Sequence, residues 1–131
     1  MAESLTEGLE GTAKTTVSLE KTAKAVGSGS LEVFATPMMV ALMEKAAVNA
    51  VAAALSPGET TVGTKIEVSH IKASPVGALV EAKAKLISVE GRKLTFLVEA
   101  FDEQGKIGEG RHERVRVNIE KFLGKVSSRE K

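Results

Sequence analysis

Residues 36–58 read TPMMVALMEKAAVNAVAAALSPG. Thr36 is placed to accept a backbone N–H as an N-cap, and Pro37 suits a first helical position because no hydrogen-bond partner is needed there. From 38 to 55 nearly every residue is apolar or a good helix former, and Ser56-Pro57-Gly58 stops the run. Glu44, Lys45 and Asn49 are its polar interruptions. A helix apolar on almost every side is expected to be buried on almost every side. Such a helix needs a concave apolar surface to lie in.

The flanking sequence supplies one. Residues 11–19 mix Thr, Val and Lys and predict a first strand, and Gly27-Ser28-Gly29-Ser30 within 25–30 predicts a flexible connection. After Gly58 the period changes to two. Val62, Thr64, Ile66 and Val68 alternate with polar positions and Gly63 in a half-buried strand ending near His70. A turn at Ser74-Pro75-Val76-Gly77 leads to Val80, Ala82, Ala84 and Leu86. Glu90-Gly91 makes a hairpin into Leu94, Phe96, Val98 and Ala100, and residues 102–105 turn into a last strand over 107–119. One domain over 1–131 is expected, with about 1–10 and 124–131 frayed.

Strand, long helix, then four strands joined by short turns is an α+β pattern. Antiparallel strands in a meander curl because sheets twist. The expected architecture is the hot-dog arrangement, a five-stranded antiparallel sheet wrapped around a long central helix. An uncovered edge strand invites pairing with a second copy. A homodimer with a continuous sheet is therefore expected, or a tetramer of two such dimers.

Composition removes several function classes. Eighteen Lys and Arg against 17 Asp and Glu leave a net charge of +1, which offers no electrostatic case for nucleic acid or an anionic membrane. With no cysteine, there is no disulfide, thiolate metal site or cysteine nucleophile. No P-loop, dinucleotide fingerprint, metal-ligand cluster or nucleophile elbow is present, so neither metal nor cofactor is expected. The N-terminal residues show no basic or apolar leader pattern, and the unbroken apolar run over 37–43 is too short to span a bilayer; a cytoplasmic protein is expected. Trp and Tyr are absent and Phe numbers four, so the core is built from aliphatic residues.

Against that background a few residues stand out. Glu44 sits among Val40, Ala41, Met43, Ala47 and Val48; a carboxylate there must be paired, solvated in a cleft or protonated. His70 shares the parity of Val62, Thr64, Ile66 and Val68, which predicts that it faces the apolar side; it reads either as a rim histidine or as a reactive group. Gly63 marks a bulge or a place where a ligand nears the backbone. His112, Arg114 and Arg116 share one face of the last strand, and for His112 and Arg116 a solvated sheet face is the expectation.

The segments Val33-Phe34-Ala35-Thr36, Met39-Val40 and Leu42-Met43-Glu44 resemble the fluoroacetyl-CoA thioesterase-like family of hot-dog proteins. The likeness continues through Gly63-Thr64, Val68-Ser69-His70, Ser88-Val89-Glu90-Gly91-Arg92, His112-Glu113-Arg114 and Glu120-Lys121-Phe122. The resemblance implies hydrolysis of an acyl-CoA thioester by Thr36, Glu44 and His70, coenzyme A entering as part of the substrate. It implies further that Gly63 and Arg114 line the acyl site, with Phe34 and Met39 as substrate contacts. The family's aromatic gating residues upstream of the Val-Phe-Ala-Thr segment are replaced by Ser28-Gly29-Ser30-Leu31. Ordinary short or medium acyl groups are therefore expected in place of strict selectivity for a fluorinated one. About 12 Å of helix axis separates Thr36 from Glu44, so a site combining groups from two subunits is favoured. The competing functions are a non-catalytic acyl-CoA-binding module and a hot-dog hydratase or dehydratase, although the Asp-x-Asn-x-x-His stretch of the latter is missing.

Overall fold

The structure, a computed structural model, describes residues 5–129. Strand β1 (Glu10–Thr16) is followed by a short helix α1 (Ala23–Val26) and the long helix α2 (Thr36–Val51). Four strands then complete the sheet: β2 (Glu59–His70), β3 (Leu79–Glu90), β4 (Lys93–Asp102) and β5 (Gly105–Asn118). A last helix, α3, covers Ile119–Ser127. The order across the sheet is β1-β3-β4-β5-β2, antiparallel at every step. This is the hot-dog architecture that the sequence predicts.

The meander is shorter than expected. Only β3, β4 and β5 follow one another by tight turns, because β2 pairs with β5 at the far edge. The Ser74–Gly77 turn therefore belongs to a crossover between non-neighbouring strands. It is held by Phe34 N–H donating to the Ser74 carbonyl and Gly77 N–H donating to that of Val17. Alternation reveals strands but not their neighbours, since β3 already has partners on both sides.

Helix α2 lies across the inner face of the sheet. Met39, Leu42, Met43, Ala46, Ala47, Ala50 and Val51, spaced at helical intervals, are buried against it. Opposite them in the core stand Ala13, Val80, Ala82, Ala84, Leu86, Leu94, Phe96 and Val98. Close approach is made possible by Gly11, where a Cβ would meet the Ala50 nitrogen at 2.3 Å and the Ala46 carbonyl at 2.4 Å. The helix is not buried all round: Ala41, Lys45, Val48 and Asn49 form an open stripe. By length and composition the segment Thr36–Ala54 (19 residues, mean hydropathy 1.2) could cross a membrane, but here its apolar face packs on the sheet.

Three local expectations are corrected. Residues 25–30 are not wholly irregular, because α1 extends to Val26, capped by the Thr22 hydroxyl on Ala25 N–H. The ends are less frayed than composition suggests: Leu5 and Leu9 pack on the core, and α3 continues through 124–127 behind an Asn118 cap. Residues 1–4 and 130–131 lie outside the described residues. Finally, the unbroken alternation expected along β2 is interrupted by a bulge beside Gly63, one of the two readings of that glycine. Gly63 pairs with Arg114 and Lys65 with Glu113, so Thr64 is the inserted residue. Thr61 and Gly63 before it share the inner face with Ile66, Val68 and His70 after it. Val62 and Thr64, assigned by alternation to the side of His70, point outward, because one extra residue reverses the phase.

Candidate active site

The seam between α2 and β2 collects the candidate residues in two groups. At the N-terminal end of α2, Thr36 Oγ1 lies 2.8 Å from His70 Nδ1. Thr36 is not the N-cap. Ala35 holds that place, Thr36 is the first helical residue, and its hydroxyl is engaged by the imidazole instead of a helix N–H. Met38 and Met39 N–H both return to the Ala35 carbonyl and Pro37 has no N–H. Among the described residues, the Thr36 N–H is thus the free donor of that turn. Phe34 is buried edge-on against His70, ring centroids 6.5 Å apart. Burial pushes the His70 imidazole below its usual range, with the Lys72 backbone acting in the opposite sense. His70 Nε2 is buried and finds no partner among the described residues. A neutral imidazole beside a hydroxyl is a nucleophile–base or oxyanion-stabilising pair, depending on which atom carries the proton.

The second group sits two turns along the helix. Glu44, its side chain 40% exposed, reaches over Gly63 toward Arg114, with Oε2 3.5 Å from the Arg114 NH1 nitrogen. Arg114 is buried in β5; its Nε donates to Thr61 Oγ1 at 2.8 Å and its NH2 group to the Thr61 carbonyl at 3.0 Å. The same NH1 nitrogen lies 3.1 Å from His112 Nε2, and His112 Nδ1 lies 2.8 Å from the Lys65 carbonyl. His112 is therefore no part of a solvated sheet face: it is 1% exposed and faces inward beside Phe96. The signal available in the sequence was its shared parity with Arg114. The inner face of β5 also carries Arg116, which is half-buried and pairs with Glu59 at 2.8 Å.

Burial is the main cause that lowers the His112 pKa, and Arg114 adds to it; the Lys65 hydrogen bond, Glu44 and Glu113 pull the other way. Because Nδ1 must donate to the Lys65 carbonyl, Nε2 carries the lone pair that receives the Arg114 proton. The 3.8 Å approach of His112 Nε2 to Glu44 is then not an ion pair, and Arg114 is the cation facing the carboxylate. Gly63 makes room for this meeting. A Cβ there would lie 2.6 Å from Glu44 Oε2 and 3.3 Å from both Arg114 NH1 and His112 Cε1. Met39, fully buried, packs its thioether over Gly108. A concavity on the outer sheet face, lined by Glu67, Lys85, Leu97 and Arg111, holds none of these groups.

A carboxylate, a hydroxyl–imidazole pair and a buried arginine suit hydrolysis of an activated acyl group. Residues 17–120 match the model of the fluoroacetyl-CoA-specific thioesterase family. The chain belongs to this thioesterase family. A fluoroacetyl-CoA thioesterase of Streptantibioticus cattleyicolor is 52% identical over 95 residues, covering 72% of this chain and 68% of that protein. A solved structure of a fluoroacetyl-CoA thioesterase superposes with a TM-score of 0.90 at 40% identity, covering 98% of this chain and all of the other. A thioesterase superfamily member from Thermus thermophilus follows with a TM-score of 0.87 at 31% identity, covering 94% and 91% of the two chains. The matched span of the thioesterase family takes in both groups, from Phe34 and Thr36 through Glu44, Gly63 and His70 to Arg114.

Proposed function

We propose that this thioesterase hydrolyses short or medium acyl-CoA thioesters in the cytoplasm, through a site completed by a second copy of the chain. The observation that carries the reading is the Glu44 carboxylate held over Gly63 against a buried Arg114, in a chain of this family. In the reaction, oxygen adds to the thioester carbonyl, the C–S bond breaks, and coenzyme A departs as a thiolate that takes up a proton. Glu44 either removes the proton from the attacking water, or attacks the carbonyl itself to form a mixed anhydride that water then opens to the free acid and the regenerated carboxylate. Thr36 and His70 serve the carbonyl oxygen and the departing sulfur.

Two features support a homodimer. β2 is a twelve-residue edge strand whose outer side has no partner strand among the described residues, and edges of that length seldom stay open. Thr36 with His70 and Glu44 with Gly63 occupy opposite halves of this edge, on one face of the strand. Antiparallel pairing of two β2 strands about a two-fold axis brings the His70 end of one copy beside the Gly63 half of the other. Two composite sites result, each uniting the groups that one helix holds too far apart.

Free thiol release from a panel of acyl-CoA thioesters, combined with sedimentation equilibrium, tests the reading. Turnover by a dimer is expected, with a loss of about a hundredfold or more in Glu44→Gln. A fully active monomer, or Glu44→Gln at wild-type rates, would refute it.

A further inference from the structure

Resting on that reading of the site, we infer that His112 is a positioning residue whose neutral imidazole clamps the Arg114 guanidinium in the orientation that meets Glu44. The guanidinium is planar and its donors point in fixed directions. Thr61 pins one edge through Nε and the NH2 group, which leaves NH1 as the group that turns toward the carboxylate. NH1 is shared between His112 Nε2 at 3.1 Å and Glu44 Oε2 at 3.5 Å. His112 is itself fixed from behind, because its Nδ1 proton goes to the carbonyl of Lys65 at the β2 bulge. One imidazole thereby ties three elements together: the bulge in β2, the arginine of β5 and, through it, the carboxylate of α2.

An apolar side chain at 112 would leave the partly buried Lys65 carbonyl and a buried Arg114 N–H without this partner, which is costlier than removing both. A protonated imidazole would fail differently. It has no lone pair for Arg114 and would place a second positive charge about 3 Å from the first. The charged groups around His112 are Arg114 and Glu113 from β5 and Glu44 from α2; β2 offers the Lys65 carbonyl and β4 the uncharged Phe96. Arg114 resists protonation of the ring while the two glutamates favour it, and burial supports the neutral form. Acid that protonates His112 releases Arg114, and the orientation of Glu44 goes with it.

Two amides separate these roles. His112→Gln places an acceptor at the reach of Nε2 without a titrating group, whereas His112→Asn keeps a donor at the reach of Nδ1 and cannot touch Arg114. With an acyl-CoA substrate that the wild type turns over, His112→Asn is expected to lower kcat at least tenfold with KM within threefold. His112→Gln is expected to recover kcat to within threefold at pH 7.5 and to retain a larger fraction of it at pH 5.5 than the wild type does. Equal losses in the two variants, or wild-type kcat in His112→Asn, would overturn the inference. If His112→Asn does not fold, His112→Gln alone decides, and a kcat that falls between pH 7.5 and 5.5 as steeply as that of the wild type is equally fatal. Nitrogen-15 NMR gives an arm that needs no turnover. The signal of the Arg114 NH1 protons, one of which His112 accepts, should be sharp and slow to exchange in wild type and His112→Gln and lost in His112→Asn; an indifferent signal refutes the clamp. A wild type inactive on every acyl-CoA would sink the functional reading, while this signal still decides the role of His112.

Discussion

Replacing Gly63 with alanine adds one methyl group at the point where β2, α2 and β5 converge. Its Cβ would lie 2.6 Å from Glu44 Oε2, whereas carbon and oxygen rest no closer than about 3.3 Å, so the carboxylate must withdraw by about 0.7 Å. Arg114 NH1 and His112 Cε1, each 3.3 Å from the new atom, are held by hydrogen bonds and yield less. Glu44 can move, because its side chain is 40% exposed and solvent lies behind it. A displacement near 1 Å in a reacting group costs on the order of a hundredfold in rate. Stability should hardly respond: Gly63 does not use a positive φ, and alanine's smaller unfolded-state entropy contributes about 0.4–1 kcal/mol in its favour. The expected outcome is therefore a folded protein with kcat/KM reduced roughly 30- to 100-fold. Thiol-release kinetics beside urea unfolding measures both quantities. A Gly63→Ala variant with kcat/KM within threefold of wild type would show that the position of Glu44 does not limit the chemistry.

The opposite split is expected for Gly11→Ala, where the methyl meets helix backbone at 2.3–2.7 Å. Overpacking of about 1–3 kcal/mol or more should lower the melting temperature clearly; an unchanged Tm argues against the close helix–strand approach. Acid should also destabilise the fold. The pKa of His112 is depressed, so the folded chain binds fewer protons than the unfolded one. That stability is complete above the unfolded value of about 6.5 and is lost as pH falls through the folded value, at no more than about 1.4 kcal/mol per pH unit. Urea titrations at pH 7.5 and 5.5 should give a smaller difference for His112→Asn than for wild type, and equal differences would contradict the assignment. Lastly, kcat/KM for fluoroacetyl-CoA and acetyl-CoA should lie within about 1–3 kcal/mol of each other, since no aromatic side chain stands at 28–31 to close the site. A preference of several thousandfold would reverse that reading.

The long apolar helix and the period-two stretches after Gly58 were legible because burial imposes periodicity on a sequence. Strand neighbours were not, since the partner of β2 depends on which edges β3 and β5 leave free. The Thr36 hydroxyl looked like a cap because Thr-Pro at a helix start has the same appearance whether the oxygen turns toward the helix or toward His70. His112 is hidden in the sequence for a related reason. Alternation places His112, Arg114 and Arg116 together but does not say which side of β5 is inside, and three polar residues suggest water. Here they line an interior that Glu44 and Thr61 make polar. Helix α3 leaves little trace in the sequence because a single apolar stripe of Ile119, Phe122, Leu123 and Val126 is brief among charges.

The extra residue in β2 gives the length of that strand a meaning its side chains alone do not have. Gly63 and His70 are seven positions apart, an odd number, and in an uninterrupted strand they would look in opposite directions. Thr64 absorbs the mismatch, and its own hydroxyl does no more than donate to the Glu113 carbonyl. Changing this exposed threonine to another residue should be nearly silent. Deleting it would act as a frameshift in space, turning Ile66, Val68 and His70 outward, or Thr61 and Gly63, while every other amino acid stayed the same. At that position of this strand the count of residues matters more than the letter.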